Sequence, residues 1–156
     1  MLALSRQKVP TFDRAQIAPA SGLARGAYVL TETASRTPDI ILIATGSEVQ
    51  LALAAKPELE KRGHSVRVVS MPSFELFAQQ DAVYRDLVLP PAIRCRLAIE
   101  AGATLSWYRW VGLDGDVIGL DRFGLSGPFA EVFKYFDFTV EHVVERALTL
   151  IARVDA

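Results

Sequence analysis

Residues 40–55, Ile40-Ile-Leu-Ile-Ala44-Thr45-Gly46-Ser47-Glu48-Val49-Gln50-Leu-Ala-Leu-Ala-Ala55, decide the fold of this chain. Ile40 to Ala44 is an unbroken apolar run rich in β-branched residues, the mark of a strand covered on both faces. Thr45-Gly46-Ser47 breaks the run, and a helical pattern follows at once. Ser47 with Gln50 three places on matches a capping box. The helix is expected to bury Val49, Leu51, Leu53, Ala54 and Leu59, to kink or restart at Pro57, and to stop at Gly63.

The same alternation continues outward. Arg25 to Glu32 reads as a first strand, with Tyr28 and Leu30 on one side, and Pro38-Asp39 as a turn. Ser65 to Ser70 reads as the strand after the helix, closed by Met71-Pro72. Short helices are expected over 73–89, a further apolar strand over Arg96 to Ile99, and a short last strand over Asp116 to Gly119. Gly124 to Pro128 forms a loop before a short helix. Thr139 caps a final helix whose Val140, Val143, Val144, Ala147, Leu148 and Ile151 fall on one stripe. Strands alternating with helices across short Gly/Pro turns imply an α/β three-layer, Rossmann-like sandwich with a mostly parallel sheet. Residues 1–26, with Pro10, Pro19, Gly22 and Gly26 and little periodicity, read as an irregular leader or interdomain linker; residues 27–156 read as the folded domain.

Bulk composition excludes several function classes. With 17 basic and 18 acidic residues spread along 156 positions, there is no basic stripe for nucleic acid or an anionic membrane. No apolar stretch reaches the roughly 18 residues needed to span a bilayer, and the start lacks a basic segment followed by an apolar one, so no signal peptide is expected. The single Cys95 fits a reducing cytoplasm, and His64 and His142 alone supply too few ligands for a zinc site. The apolar fraction of 51% and mean hydropathy of +0.23 suggest burial against another protein surface.

A complete active site does not emerge from the motifs. A dinucleotide fingerprint needs several glycines where this turn has only Gly46, and the P-loop lysine is missing. The turn therefore reads as a cap, with a stand-alone module binding a small anion at the Gly46-Ser47 helix start as the competing reading. Ser5, Ser47 and Ser126 lack the elbow that exposes a nucleophile. His64 follows a helix stop and His142 lies in a first helical turn. Asp114-Gly115-Asp116 reads as a turn rather than a metal site. Trp107, Tyr108 and Trp110 are either core or a docking surface.

Five stretches carry a family resemblance. Leu4-Ser5-Arg6-Gln7 with Val9-Pro10 resembles the segment entering the C-terminal domain of transketolases. Ala44-Thr45-Gly46-Ser47-Glu48-Val49, Val69-Ser70-Met71-Pro72-Ser73 and Ile99-Glu100-Ala101-Gly102 resemble the ends of its successive strands. Leu120-Asp121-Arg122-Phe123-Gly124-Leu125-Ser126-Gly127-Pro128 resembles its most diagnostic loop. The resemblance implies a mixed sheet with one antiparallel strand, a fold shared with deoxyxylulose-phosphate synthase and the pyruvate dehydrogenase β subunit.

It also implies a fragment of a cytoplasmic homodimeric transferase of the pentose phosphate pathway. Such an enzyme moves a two-carbon ketol unit between ketose and aldose phosphates. Thiamine diphosphate and a divalent metal, Mg or Ca, would be held by upstream domains and a second subunit, whose Gly-Asp-Gly metal motif has no equivalent here. No catalytic, cofactor or metal residue is then expected in this chain. One residue carries over: Arg6, at the position that contacts the substrate phosphate, a role suited to a guanidinium's fixed charge and paired donors.

Overall fold

The structure, a computed structural model, describes residues 7–34 and 37–154. Five strands, β1 (Tyr28–Glu32), β2 (Ile40–Ala44), β3 (Val66–Ser70), β4 (Arg96–Ile99) and β5 (Asp116–Ile118), form one sheet in the order β1-β3-β2-β4-β5. β2 is central, parallel to β3 and β4, and β5 is parallel to β4. β1 alone is antiparallel, against β3. All five residues of β2 are fully buried because both faces of the sheet are covered.

The helices are α1 (Val49–Glu60), α2 (Phe74–Ala78), α3 (Ala82–Val88), α4 (Tyr108–Val111), α5 (Phe129–Tyr135) and α6 (Val140–Val154). The chain steps from β2 to β3 in one direction and from β3 to β4 in the other. Right-handed crossovers therefore place α1 and the α2–α3 pair on opposite faces. Two cores result. Ile40, Leu42 and Ala44 meet α1 and α6 on one face. Ile41 and Ile43 meet Phe77, Val88 and the tryptophans on the other.

Several local expectations change. Gly46–Glu48 is a 3-10 turn leading into α1, and no side chain caps it. The Ser47 hydroxyl donates instead to the Glu48 carboxylate (2.5 Å), and the Gln50 amide donates to the Ser47 carbonyl (2.9 Å). The capping box is undone because a buried carboxylate competes for the hydroxyl. α1 runs through Pro57 unbroken and buries Val49, Ala52, Ala55 and Leu59, while Ala54 is exposed and Leu51 and Leu53 are half-buried. Its stop is the one expected. Gly63 has φ +91°, and His64 N donates to Leu59 O while Gly63 N donates to Glu60 O, the Schellman pattern. Thr139 caps α6 through His142 N, at 3.2 Å.

Residues 20–25, expected to be irregular, form a 3-10 helix, and Phe12 and Ile17 pack against the first core. Ala18 N donates to Leu30 O at 2.9 Å, where a bulge interrupts the β1–β3 register. Trp107 and Trp110 belong to the second core, at 0% and 7% exposure; only Tyr108 of that aromatic group faces outward. Phe74 stands edge-on to Trp107, with ring centroids 4.7 Å apart. Among the described residues no helix is long and apolar enough to cross a membrane.

Candidate functional site

In an open α/β sheet the crevice forms where successive crossovers diverge, beyond the carboxyl ends of the strands. Here that point lies between β2 and β4, and three recognised motifs meet there: the Thr45–Glu48 turn, Glu100–Gly102, and the loop after β5.

The junction is closed by side chains. The Glu48 carboxylate is nearly inaccessible and is held by the Ser47 hydroxyl and the Ala101 backbone amide. Burial raises its pKa above the usual glutamate value; those hydrogen bonds oppose the rise, and the nearby Glu100 charge adds to it. Glu100 accepts a 2.6 Å hydrogen bond from Trp107 Nε1, which fastens the β4 turn to the second core. Beyond it, Asp121 accepts from both Thr104 N (2.8 Å) and Thr104 Oγ1 (2.7 Å), and Leu120 N donates to Gly102 O at 2.7 Å. Those two hydrogen bonds from Thr104 lower the Asp121 pKa. Gly119 is needed for this approach: a Cβ there would lie 2.6 Å from Thr104 Cγ2 and 2.9 Å from Gly102 O.

Chemically, this arrangement is a clasp. Two carboxylates converge where a small anion would bind the Gly46-Ser47 turn, and the Ser47 hydroxyl is already committed to one of them. Coulombic repulsion in a partly desolvated site disfavours anion binding there. The Glu48–Glu100–Trp107 arrangement escapes sequence reasoning, which treats Glu48 as one letter of a motif. Its only forewarning is an acidic residue set between two apolar runs.

The other sequence candidates do not come together. Arg6 and Ser5 lie outside the described residues. Gln7, which follows Arg6, is half-buried in a groove lined by Leu125, Gly127 and Phe129. Ser126 is exposed in its loop, and His64 sits behind the α1 stop. The buried Nε2 of His142 has no hydrogen-bond partner among the described residues. Asp114 pairs with Arg94 and Asp116 with Arg146, which makes the Asp-Gly-Asp stretch an ion-paired turn. Among the described residues no group of three His, Cys, Asp or Glu could hold a metal ion. Large apolar side chains are exposed on this side of the molecule, among them Leu105 and Phe123.

Comparison with known proteins gives a consistent result. The family described as "Transketolase-like TK C-terminal domain" matches residues 26–139. The transketolase of Aquifex aeolicus is 47% identical over 147 residues, covering 94% of this chain and 21% of that protein. The transketolase of Bacillus subtilis is 45% identical over 150 residues, covering 96% and 22%. Among solved structures, a transketolase from Pichia stipitis in complex with sedoheptulose 7-phosphate superposes with a TM-score of 0.83 at 37% identity, over 94% of this chain and 20% of that one. The chain thus spans about a fifth of the length of the relatives it matches.

Proposed function

Because the chain belongs to the transketolase-like TK C-terminal domain family, we propose that it serves as the C-terminal domain of a transketolase, with no catalysis of its own. The observation that carries this reading is the asymmetry of coverage: nearly all of this chain matches about a fifth of each relative. The parent enzyme transfers a two-carbon ketol unit between sugar phosphates, in the cytoplasm and as a homodimer. Thiamine diphosphate with its divalent metal supplies the carbanion chemistry there. The described residues of this chain do not fit that group. They offer no metal-ligand cluster, and the buried Glu48 and half-buried Glu100 carboxylates are engaged by Ser47, Ala101 and Trp107.

The domain's share is packing and one phosphate contact. Exposed Leu105 and Phe123 suit the first task, as surface to be covered by upstream domains or a second subunit. Arg6 suits the second, since a guanidinium binds phosphate through two parallel charge-assisted hydrogen bonds.

A ketol-transfer assay with thiamine diphosphate, magnesium and a ketose/aldose phosphate pair tests both. Activity is expected only when a protein carrying the upstream domains is added. Arg6→Ala should then lower kcat/KM for phosphorylated substrates by roughly tenfold to a hundredfold, the loss of a hydrogen bond to a charged group worth about 1.5–3 kcal/mol. Turnover by the chain alone would refute the proposal.

A further inference from the structure

The diagnostic loop after β5 is the motif whose role neither the family pattern nor the clasp accounts for. Near its start, Asp121 is anchored by the Thr104 amide and hydroxyl, which both donate to its carboxylate. The last residue of the loop, Pro128, accepts the first backbone bonds of α5 from Glu131 and Val132, at 3.0 Å each. Between these fixed ends the loop stands away from the core, exposed throughout. Arg122 lies over the Phe136 ring, 5.7 Å from its centroid, and the far end of the loop borders the leader. Gln7 shares with Leu125, Gly127, Phe129, Val132 and Phe133 a groove of about 420 Å³.

The floor of that groove is tied to the interior. Phe129 packs on Phe133 with ring centroids 4.1 Å apart, and Phe133 packs on the buried Phe138 at 5.3 Å. On the leader side, Phe12 packs against the same core. Residues 7–12 therefore run from the rim of the groove, which half-buried Gln7 helps to line, to the first core, against which Phe12 packs, with Lys8 and Val9 exposed between those two points. Arg6 is one peptide bond beyond the first of these points.

We infer that the loop from Leu125 to Phe129 is the seat of the segment that follows Arg6, so that Leu125 and Phe129 are positioning residues for the phosphate arginine. This rests on the phosphate role proposed above for Arg6. Their contribution is entropic: a guanidinium on a tethered segment loses less freedom on meeting phosphate than one on a loose arm.

Two readouts test it and separate it from the Arg6 reading. The first is limited trypsin digestion of the 156-residue chain, following cleavage after Arg6 and Lys8 by mass. Such cleavage tracks local opening. Leu125→Ser, a change at a side chain 52% exposed that leaves the core untouched, should accelerate it about fivefold, and Phe129→Ala should do likewise. Val83→Ser, at a side chain 81% exposed on α3 and away from the groove, should not. Unchanged cleavage in both groove variants would overturn the seat whatever Arg6 does.

The second readout is ketol transfer in the mixture with upstream domains. Leu125→Ser should raise KM for phosphorylated substrates and leave an unphosphorylated donor unaffected. An equal effect on both donors, or none, would overturn the positioning role. A silent Arg6→Ala would overturn the phosphate reading itself and the positioning role with it, while the digestion result would still judge the seat.

Discussion

Substituting alanine for Gly26 should damage this fold more than any neighbouring glycine replacement would suggest. Gly26 ends the 3-10 helix with φ +82°. A Cβ built there would lie 2.3 Å from Phe77 N and 2.5 Å from Ser73 O. Those two atoms form the first backbone hydrogen bond of α2, 3.2 Å long, and Gly26 O itself accepts from Ser73 N at 3.0 Å. The methyl group would press on a helix's own ladder, where no rotamer change can make room. Left-handed backbone costs an alanine about 1–2 kcal/mol, and overpacking against backbone adds about 1–3 kcal/mol. The sum is about 2–5 kcal/mol.

Gly63→Ala is the matched control. Its φ is +91°, but nothing described lies within 4 Å of its added Cβ, so it should cost about 1–2 kcal/mol from conformation alone. Urea unfolding followed by tryptophan fluorescence reads both variants. Trp110 lies 5.1 Å from the Phe77 ring and Trp107 4.7 Å from that of Phe74, so emission reports directly on α2. Equal destabilisation by the two substitutions would refute the close-approach reasoning.

Two other perturbations follow from the clasp and from β4. Glu48 has a raised pKa in the fold, so the folded state holds a proton more tightly than the unfolded chain. Its stabilising contribution is complete below the ordinary glutamate pKa of 4.5 and is lost as pH rises through the raised value. The slope is at most about 1.4 kcal/mol per pH unit. Glu48→Gln should remove that slope from urea-midpoint measurements above pH 4.5, and parallel pH profiles for the two proteins would rule the idea out. Arg96 donates to the carbonyls of Ile93, Trp110, Leu89 and Pro90 at 2.8–3.2 Å. A lysine cannot reproduce that fork. Arg96→Lys should cost at least about 2 kcal/mol in chemical unfolding, because buried carbonyls lose their donors; a change within 0.5 kcal/mol would contradict this.

The elements that sequence reveals here are those with self-sufficient local patterns. Ile40 to Ala44 could hardly be anything but a central strand, and α6 carries its stripe and its Thr139 cap in consecutive residues. Where a side chain chooses between a local and a distant partner, the pattern misleads. Ser47 looks like a cap until Glu48 takes its hydroxyl. Trp107 looks like a docking residue until Glu100, seven positions back, accepts its N–H from inside the core. The antiparallel sense of β1 follows from the family resemblance; its own five residues do not encode a direction. The clasp was the least legible part, since Thr104 and Asp121 meet only because β4 and β5 pair in parallel. The strongest site residue from sequence, Arg6, lies outside the described residues and stands on the resemblance alone.

Both margins of the sheet discourage self-association. On one, the bulge near Leu30 distorts the hydrogen-bonding row and Ala18 occupies a carbonyl that another chain could have used. On the other, β5 is three residues long and opens on Asp116, ion-paired to Arg146. Short, charged or bulged margins resist aggregation through strand addition. A domain guarded in this way can reach high concentration without polymerising through its strand edges.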